Sequence, residues 1–228
     1  MSLNQDAIEL VVFDAYGTLL DINSAVAVHQ DALGELTDPL SAMWRQKQLE
    51  YSWLTALRGD YRDFWQLTES ALVYAFKRHG LDPESALFQH LLDAYWRLKA
   101  FDDCLPCLTW LQKQGFKTAI LSNGSPEMLR GAVEMAGISS RLNDVFSVDE
   151  VQSYKPNPKV YAIPLQAYSL ETKEVLFVSS NPWDVAGAKT FGFQVAWLNR
   201  TGANHLDELE GAPDLELQSL SQLPDKLF

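Results

Sequence analysis

The chain has 228 residues, 47% of them apolar and 11% aromatic, which is enough to bury a sizeable core as one large domain or as a core carrying an insertion. A formal net charge of −12 argues against the basic stripe that nucleic acid or an anionic membrane requires, so an anionic substrate has to be held by a few placed cations. No apolar run approaches a membrane span, and the start, MSLNQDAIEL, lacks the basic and then apolar layout of a signal peptide, which predicts a cytoplasmic protein.

The first β-branched-rich segment, IELVVFD (8–14), reads as a buried strand ending in Asp14 and followed by a Gly-Thr turn. Alone, such an aspartate is equally an ordinary turn cap. From Asp21 to about Lys99 there is no strand candidate; Trp44, Tyr51, Leu54, Phe64, Leu67, Leu72 and Phe76 recur with helical periodicity instead. This predicts a helical cap over 21–98, inserted into a core made of 1–20 and 99–228. Cys104 and Cys107 follow as a C-x-x-C with no second pair and no redox context, and read as two reduced thiols at a helix start.

KTAILSN (117–123) is a second strand, after which Pro126 opens the helical PEMLRGAVEMAG. DVFSVDE (144–150) is expected as a further strand, and Asn157-Pro158 opens the helical NPKVYAIPLQAY. EVLFVSSN (174–181) and QVAWLNR (194–200) complete the strands, separated by a helix from Trp183 to Phe191 that Gly192 stops. Within the acidic tail, PDLELQSLSQL should supply an edge strand or a helix. Strands alternating with helices give an α/β fold with a doubly wound, Rossmann-like parallel sheet, whose chemistry sits beyond the carboxyl ends of the strands. Asp14, Ser122, Asn123 and Ser179 fall there. The four histidines stand in no ligand spacing, and no zinc site is expected.

Asp14 in VVFDAYGTLLD is joined downstream by SNGSPEM, SYKPNPKVY and VSSNPWDVAGAK. With these four motifs in order the chain resembles the haloacid dehalogenase superfamily, whose motifs carry a nucleophilic Asp, a Ser or Thr, a Lys before Pro and an acidic loop. Most superfamily members resemble phosphatases, with Asp-x-Asp in the first motif and an Asp opening the fourth to hold magnesium. Here Tyr16 and Ser179 stand at those places. Phosphoryl transfer needs a cation held by carboxylates, whereas displacing halide at saturated carbon needs neither the metal nor a proton for the leaving group. Tyr16, the Ser-Ser-Asn of the fourth motif and the cap segment MWRQKQLEYSWLTALRGDYRDFW (43–65) resemble the L-2-haloacid dehalogenases in particular.

That resemblance implies a hydrolase turning (S)-2-haloacids into (R)-2-hydroxyacids through an Asp14 ester, with no metal or organic cofactor. Lys155 would keep Asp14 ionised, Thr18 would orient it, and Arg45 would receive the departing halide. Ser122 and Asn123 would contact the substrate. Ser179, Asn181 and Asp184 would position Asp14 and Lys155, with Tyr161 in support and Asp184 a candidate base for the hydrolytic water. Tyr16, Leu49, Phe64 and Trp183 would line an apolar pocket for the alkyl group, although aromatic residues at helical spacing also serve simply as core. Members resembling this chain are commonly homodimers. Two alternatives stay open at this point: a magnesium-dependent phosphatase of the same superfamily, and a non-catalytic paralogue that binds a small carboxylate.

Overall fold

The computed structural model describes residues 3–203 and 205–227. In chain order it builds β1 (Leu10–Phe13) and β2 (Leu20–Asp21), then the helices α1 (Ser24–Ala27), α2 (Gln30–Leu33), α3 (Thr37–Arg58), α4 (Phe64–Arg78) and α5 (Ala86–Tyr95). The chain returns through β3 (Lys99–Ala100) to α6 (Cys104–Lys113), β4 (Lys117–Ser122), α7 (Pro126–Met135) and β5 (Asp144–Ser147). It ends with α8 (Pro158–Tyr168), β6 (Val175–Ser179), α9 (Pro182–Phe191), β7 (Gln194–Leu198) and β8 (Leu215–Leu217).

Strands β5-β4-β1-β6-β7-β8 form one parallel sheet in that order. β1, β6 and β7 are buried along their whole length, which is why they read as unbroken apolar runs: helices cover both faces. β1 lies between β4 and β6, with Phe13 in register with Ile120 and Val178, so Asp14 emerges where the strand order reverses. The tail does supply an edge strand, β8, paired with β7.

Helices begin and end where the local chemistry demands. Ser125 and Asn157 cap α7 and α8 by accepting backbone N–H bonds, each followed by a proline at the first helical position. α9 stops at Gly192, whose φ of +111° suits only glycine. In the insertion, α3 packs along α4, and the Trp44 indole donates to the Thr68 carbonyl at 2.8 Å.

Two expectations need correction. The stretch from 21 to 99 is not free of strands: β2 and β3 pair antiparallel, Leu20 opposite Ala100, closing the two ends of the insertion on one another. The strand expected over 144–150 ends at Ser147, because its hydroxyl accepts from the Asp149 N–H and turns 148–150 into a single 3-10 turn. No helix among the described residues is long and apolar enough to cross a membrane.

Candidate active site

Asp14 follows β1 directly, and its backbone N–H still donates to Val178 of the neighbouring β6 at 2.9 Å. Sheet pairing thus extends to the aspartate N–H. Three donors converge on its carboxylate. Lys155 Nζ reaches Oδ1 at 3.0 Å, while Thr18 Oγ1 at 3.1 Å and Asn181 Nδ2 at 2.8 Å share Oδ2. Thr18 is itself aimed by the Ser180 N–H, which donates to Oγ1 at 2.9 Å and leaves the hydroxyl proton for Asp14.

Asn181 stands where α9 needs a cap, yet its side chain makes no capping bond. Its amide donates instead to Asp14 and, at 3.2 Å, to the Tyr16 carbonyl; both partners accept only, which fixes the nitrogen on that side. Gly17 makes this turn possible: its φ is +90°, and a Cβ there would meet the Ser180 hydroxyl at 3.3 Å.

Lys155 is wholly buried, in the loop before α8, where the Asn123 side chain accepts its backbone N–H at 3.1 Å. Its ammonium bridges Asp14 and Asp184, lying 2.9 Å from Asp184 Oδ2 and 4.9 Å from the Phe177 ring centre. Burial alone would lower the Lys155 pKa, but the Asp14 and Asp184 charges outweigh it and hold the ammonium protonated. Burial raises Asp184 to about 6, with Asp14 adding repulsion and Lys155 opposing both. Ser179 Oγ at 3.1 Å and Tyr161 OH at 2.7 Å donate to the same carboxylate, so three hydrogen bonds favour its anion. Burial and the Asp184 charge push the Tyr161 phenol well above its ordinary pKa, keeping it a donor.

A magnesium ion does not suit this donor set. Tyr16 and Ser179 offer no carboxylate, the space between Asp14 and Asp184 holds the Lys155 ammonium, and no group of three or more His, Cys, Asp or Glu among the described residues is placed to hold a metal.

A family model described as a haloacid dehalogenase-like hydrolase matches residues 8–192. The chain belongs to that family. It is 48% identical over 224 residues to (S)-2-haloacid dehalogenase 1 of Pseudomonas sp. (strain CBS-3), with 98% of each chain covered. It is 42% identical over 207 residues to haloacetate dehalogenase H-2 of Moraxella sp. (strain B), covering 91% of this chain and 92% of the relative. Among solved structures, the L-2-haloacid dehalogenase of Xanthobacter autotrophicus with chloropropionic acid covalently bound is 40% identical, with a TM-score of 0.86 over 96% of this chain and 97% of the other.

The remaining residues singled out in the sequence of this haloacid dehalogenase-like hydrolase fall into two groups. Arg45 on α3 is half-buried and turned inward, with Nη1 2.8 Å from Gln48 Oε1 and Nη2 3.5 Å from the Tyr16 carbonyl. Tyr16 is buried, its ring 6.0 Å from Phe64 and 5.7 Å from Tyr95, so Phe64 is both core and neighbour of the site. Ser122 is buried at the end of β4, its hydroxyl accepting from the Gly124 N–H at 3.2 Å. Leu49 and Trp183 lie farther out. Leu49 is half-buried one turn beyond Arg45, and Trp183 packs edge-on against Trp53 at 5.6 Å in a cleft of about 500 Å³ shared with Leu57, Tyr154 and Pro156.

The structure adds residues that the motifs did not reveal. Gln48 holds Arg45 from the cap and is itself bonded to Tyr95, Ser180 aims Thr18, and the Trp53 indole donates to the Lys155 carbonyl at 3.2 Å. Gln48 and Trp53 had a faint signal: with Arg45 and Leu49 they lie at i+3, i+4 and i+8 along one helix face. Tyr95 had none.

Proposed function

We propose that this hydrolase removes halide from an (S)-2-haloalkanoic acid to give the (R)-2-hydroxyacid. The observation carrying the proposal is the buried Lys155 ammonium between Asp14 and Asp184, with Tyr16 and Ser179 where a metal-dependent phosphatase needs carboxylates. Covalent chloropropionic acid in the similar Xanthobacter autotrophicus enzyme supports an ester route.

In this reading Asp14 Oδ1, which carries a single donor, attacks C2 opposite the halide, forming the C2–O bond as the carbon–halide bond breaks with inversion. The electron pair leaves with the halide, which needs no proton, and Arg45 receives the anion. Water then attacks the Asp14 carboxyl carbon, expelling the hydroxyacid with the original aspartate oxygen on it. Asp184, at about 6, is basic enough to take up the water proton near neutrality. Thr18 and Asn181 hold the carboxylate in line; Ser122 and Asn123 bound the substrate side. Tyr16, Phe64, Leu49 and Trp183 form the apolar lining in this reading. We further take β2 and β3 as the stem between a cap (21–98) and a core (1–20 and 99–228). We also take the protein to be a cytoplasmic homodimer, since its two cysteines are free and Leu54 and Leu57 are exposed on α3.

Halide release from (S)-2-chloropropionate should survive EDTA, and Asp14→Asn should abolish it. In a single turnover in heavy-oxygen water the label should enter Asp14. Label going straight into the hydroxyacid would overturn the ester route, and turnover of an aryl phosphate that requires magnesium would favour a phosphatase.

A further inference from the structure

We infer that Gln48 is a positioning residue that fixes the Arg45 guanidinium while leaving its positive charge uncompensated for an incoming anion; this rests on the reading of Arg45 as the halide receiver. A carboxylate is the strongest partner for a partly buried guanidinium, as Asp103 is for Arg200 here with two contacts at 2.8 and 3.0 Å. Arg45 is held without one. Among the described residues no carboxylate forms an ion pair with it, and its hydrogen-bond acceptors are the Gln48 amide oxygen and, at 3.5 Å, the Tyr16 carbonyl.

The amide orientation follows from its surroundings. Thr68 Oγ1 donates its proton to the Phe64 carbonyl at 2.7 Å, so towards Gln48 it can only accept. Gln48 Nε2 therefore faces Thr68, at 2.6 Å, and also reaches Tyr95 OH at 2.9 Å. The oxygen is left facing Arg45. The side chain is buried, so it cannot swing out to water and lose this register. The two phenols beside the guanidinium, Tyr16 and Tyr95, are neutral, and Asp14, whose charge reaches both, is occupied by Lys155, Thr18 and Asn181. Burial raises the Tyr16 and Tyr95 phenols above their ordinary range. A glutamate in place of Gln48 would have nearly the same shape, but would cancel the charge that a halide needs.

The test compares wild type with Gln48→Glu and Gln48→Met, using bromide as the probe at constant ionic strength. Two readouts serve: bromide inhibition of halide release, and the bromide-dependent rise in Tm of the resting protein. Gln48→Glu should weaken bromide by roughly tenfold or more and lower kcat more than it changes KM. Gln48→Met keeps the cation and loses its acceptor together with the amide's bonds to Thr68 and Tyr95, and should weaken bromide by only a few-fold. Equal losses in the two variants would reduce Gln48 to packing and overturn the inference. So would a Gln48→Glu protein that binds bromide like wild type, or a wild type that binds none. If bromide follows the expected pattern but no haloacid releases halide, the reaction assigned above fails and the role of Gln48 stands.

Discussion

The Trp53 indole N–H donates to the carbonyl of Lys155 at 3.2 Å, joining a helix of the insertion to the backbone of the lysine that bridges the two buried carboxylates. Arg45 lies two turns earlier on the same face of α3, so one rigid helix touches the site at Tyr16 and at Lys155. Trp53→Phe keeps an aromatic ring but removes the donor together with the pyrrole half of the indole. We expect a stability loss of about 1 kcal/mol and a fall in kcat of several-fold. Urea unfolding and steady-state halide release check both; an unchanged kcat would show that this contact does not govern the geometry of Lys155.

Gly187 predicts a second effect. A Cβ at this position of α9 would lie 2.6 Å from the Tyr161 hydroxyl and 2.6 Å from Pro156, against the residues that support Asp184 and follow Lys155. Alanine is the better helix former by about 1 kcal/mol, yet overpacking costs about 1–3 kcal/mol, so Gly187→Ala should be destabilising or at best neutral. It should also reduce activity by displacing Tyr161. Tyr161→Phe removes one of the two colliding groups. The double variant should therefore be more stable than the two single losses predict, and strict additivity in urea unfolding would refute the clash.

Much of the fold was legible because β1, β6 and β7 are buried on both faces and carry unbroken apolar runs, while Pro126, Pro158 and Gly192 mark helix ends. The ribbon of β2 and β3 was not. Two residues per strand show no period, and Leu20 meets Ala100 only because the whole insertion folds back between them. The convergence of Asp14, Lys155, Asn181 and Asp184 was foreshadowed by motifs at strand ends. Gln48 and Tyr95 were hidden because their importance comes from meeting each other, on different helices and 47 positions apart in the chain.

The two cysteines give a third prediction. Both are free and buried, and burial, with the Asp103 charge adding to it, pushes each thiol up to about 12. The thiolate is the reactive form, so the native protein at pH 8 should be inert to a thiol-specific reagent and should release two equivalents in urea. Rapid labelling of the native protein would contradict the buried placement of α6.

Asp184 and Lys155 together set the pH behaviour. Burial holds Asp184 near 6 against an ordinary 3.8, so protonating it below about 6 removes both a carboxylate from Lys155 and the proposed base. Halide release should therefore fall on the acid side of about pH 6, by tenfold per unit well below it. The stability effect has the opposite sign. Between these two values the folded protein binds the Asp184 proton more tightly than the unfolded chain does. The stabilisation from this group is thus complete below about 3.8 and is lost as pH rises through about 6. Lys155→Met magnifies the contrast, because it strips the shared cation from two buried carboxylates. We expect it to cost about 3–5 kcal/mol at neutral pH, with a smaller loss at pH 5.5, where one carboxyl can take up a proton. Urea unfolding at both pH values is the check. A loss of equal size at each pH would mean that Lys155 stabilises the fold by packing rather than by neutralising Asp14 and Asp184.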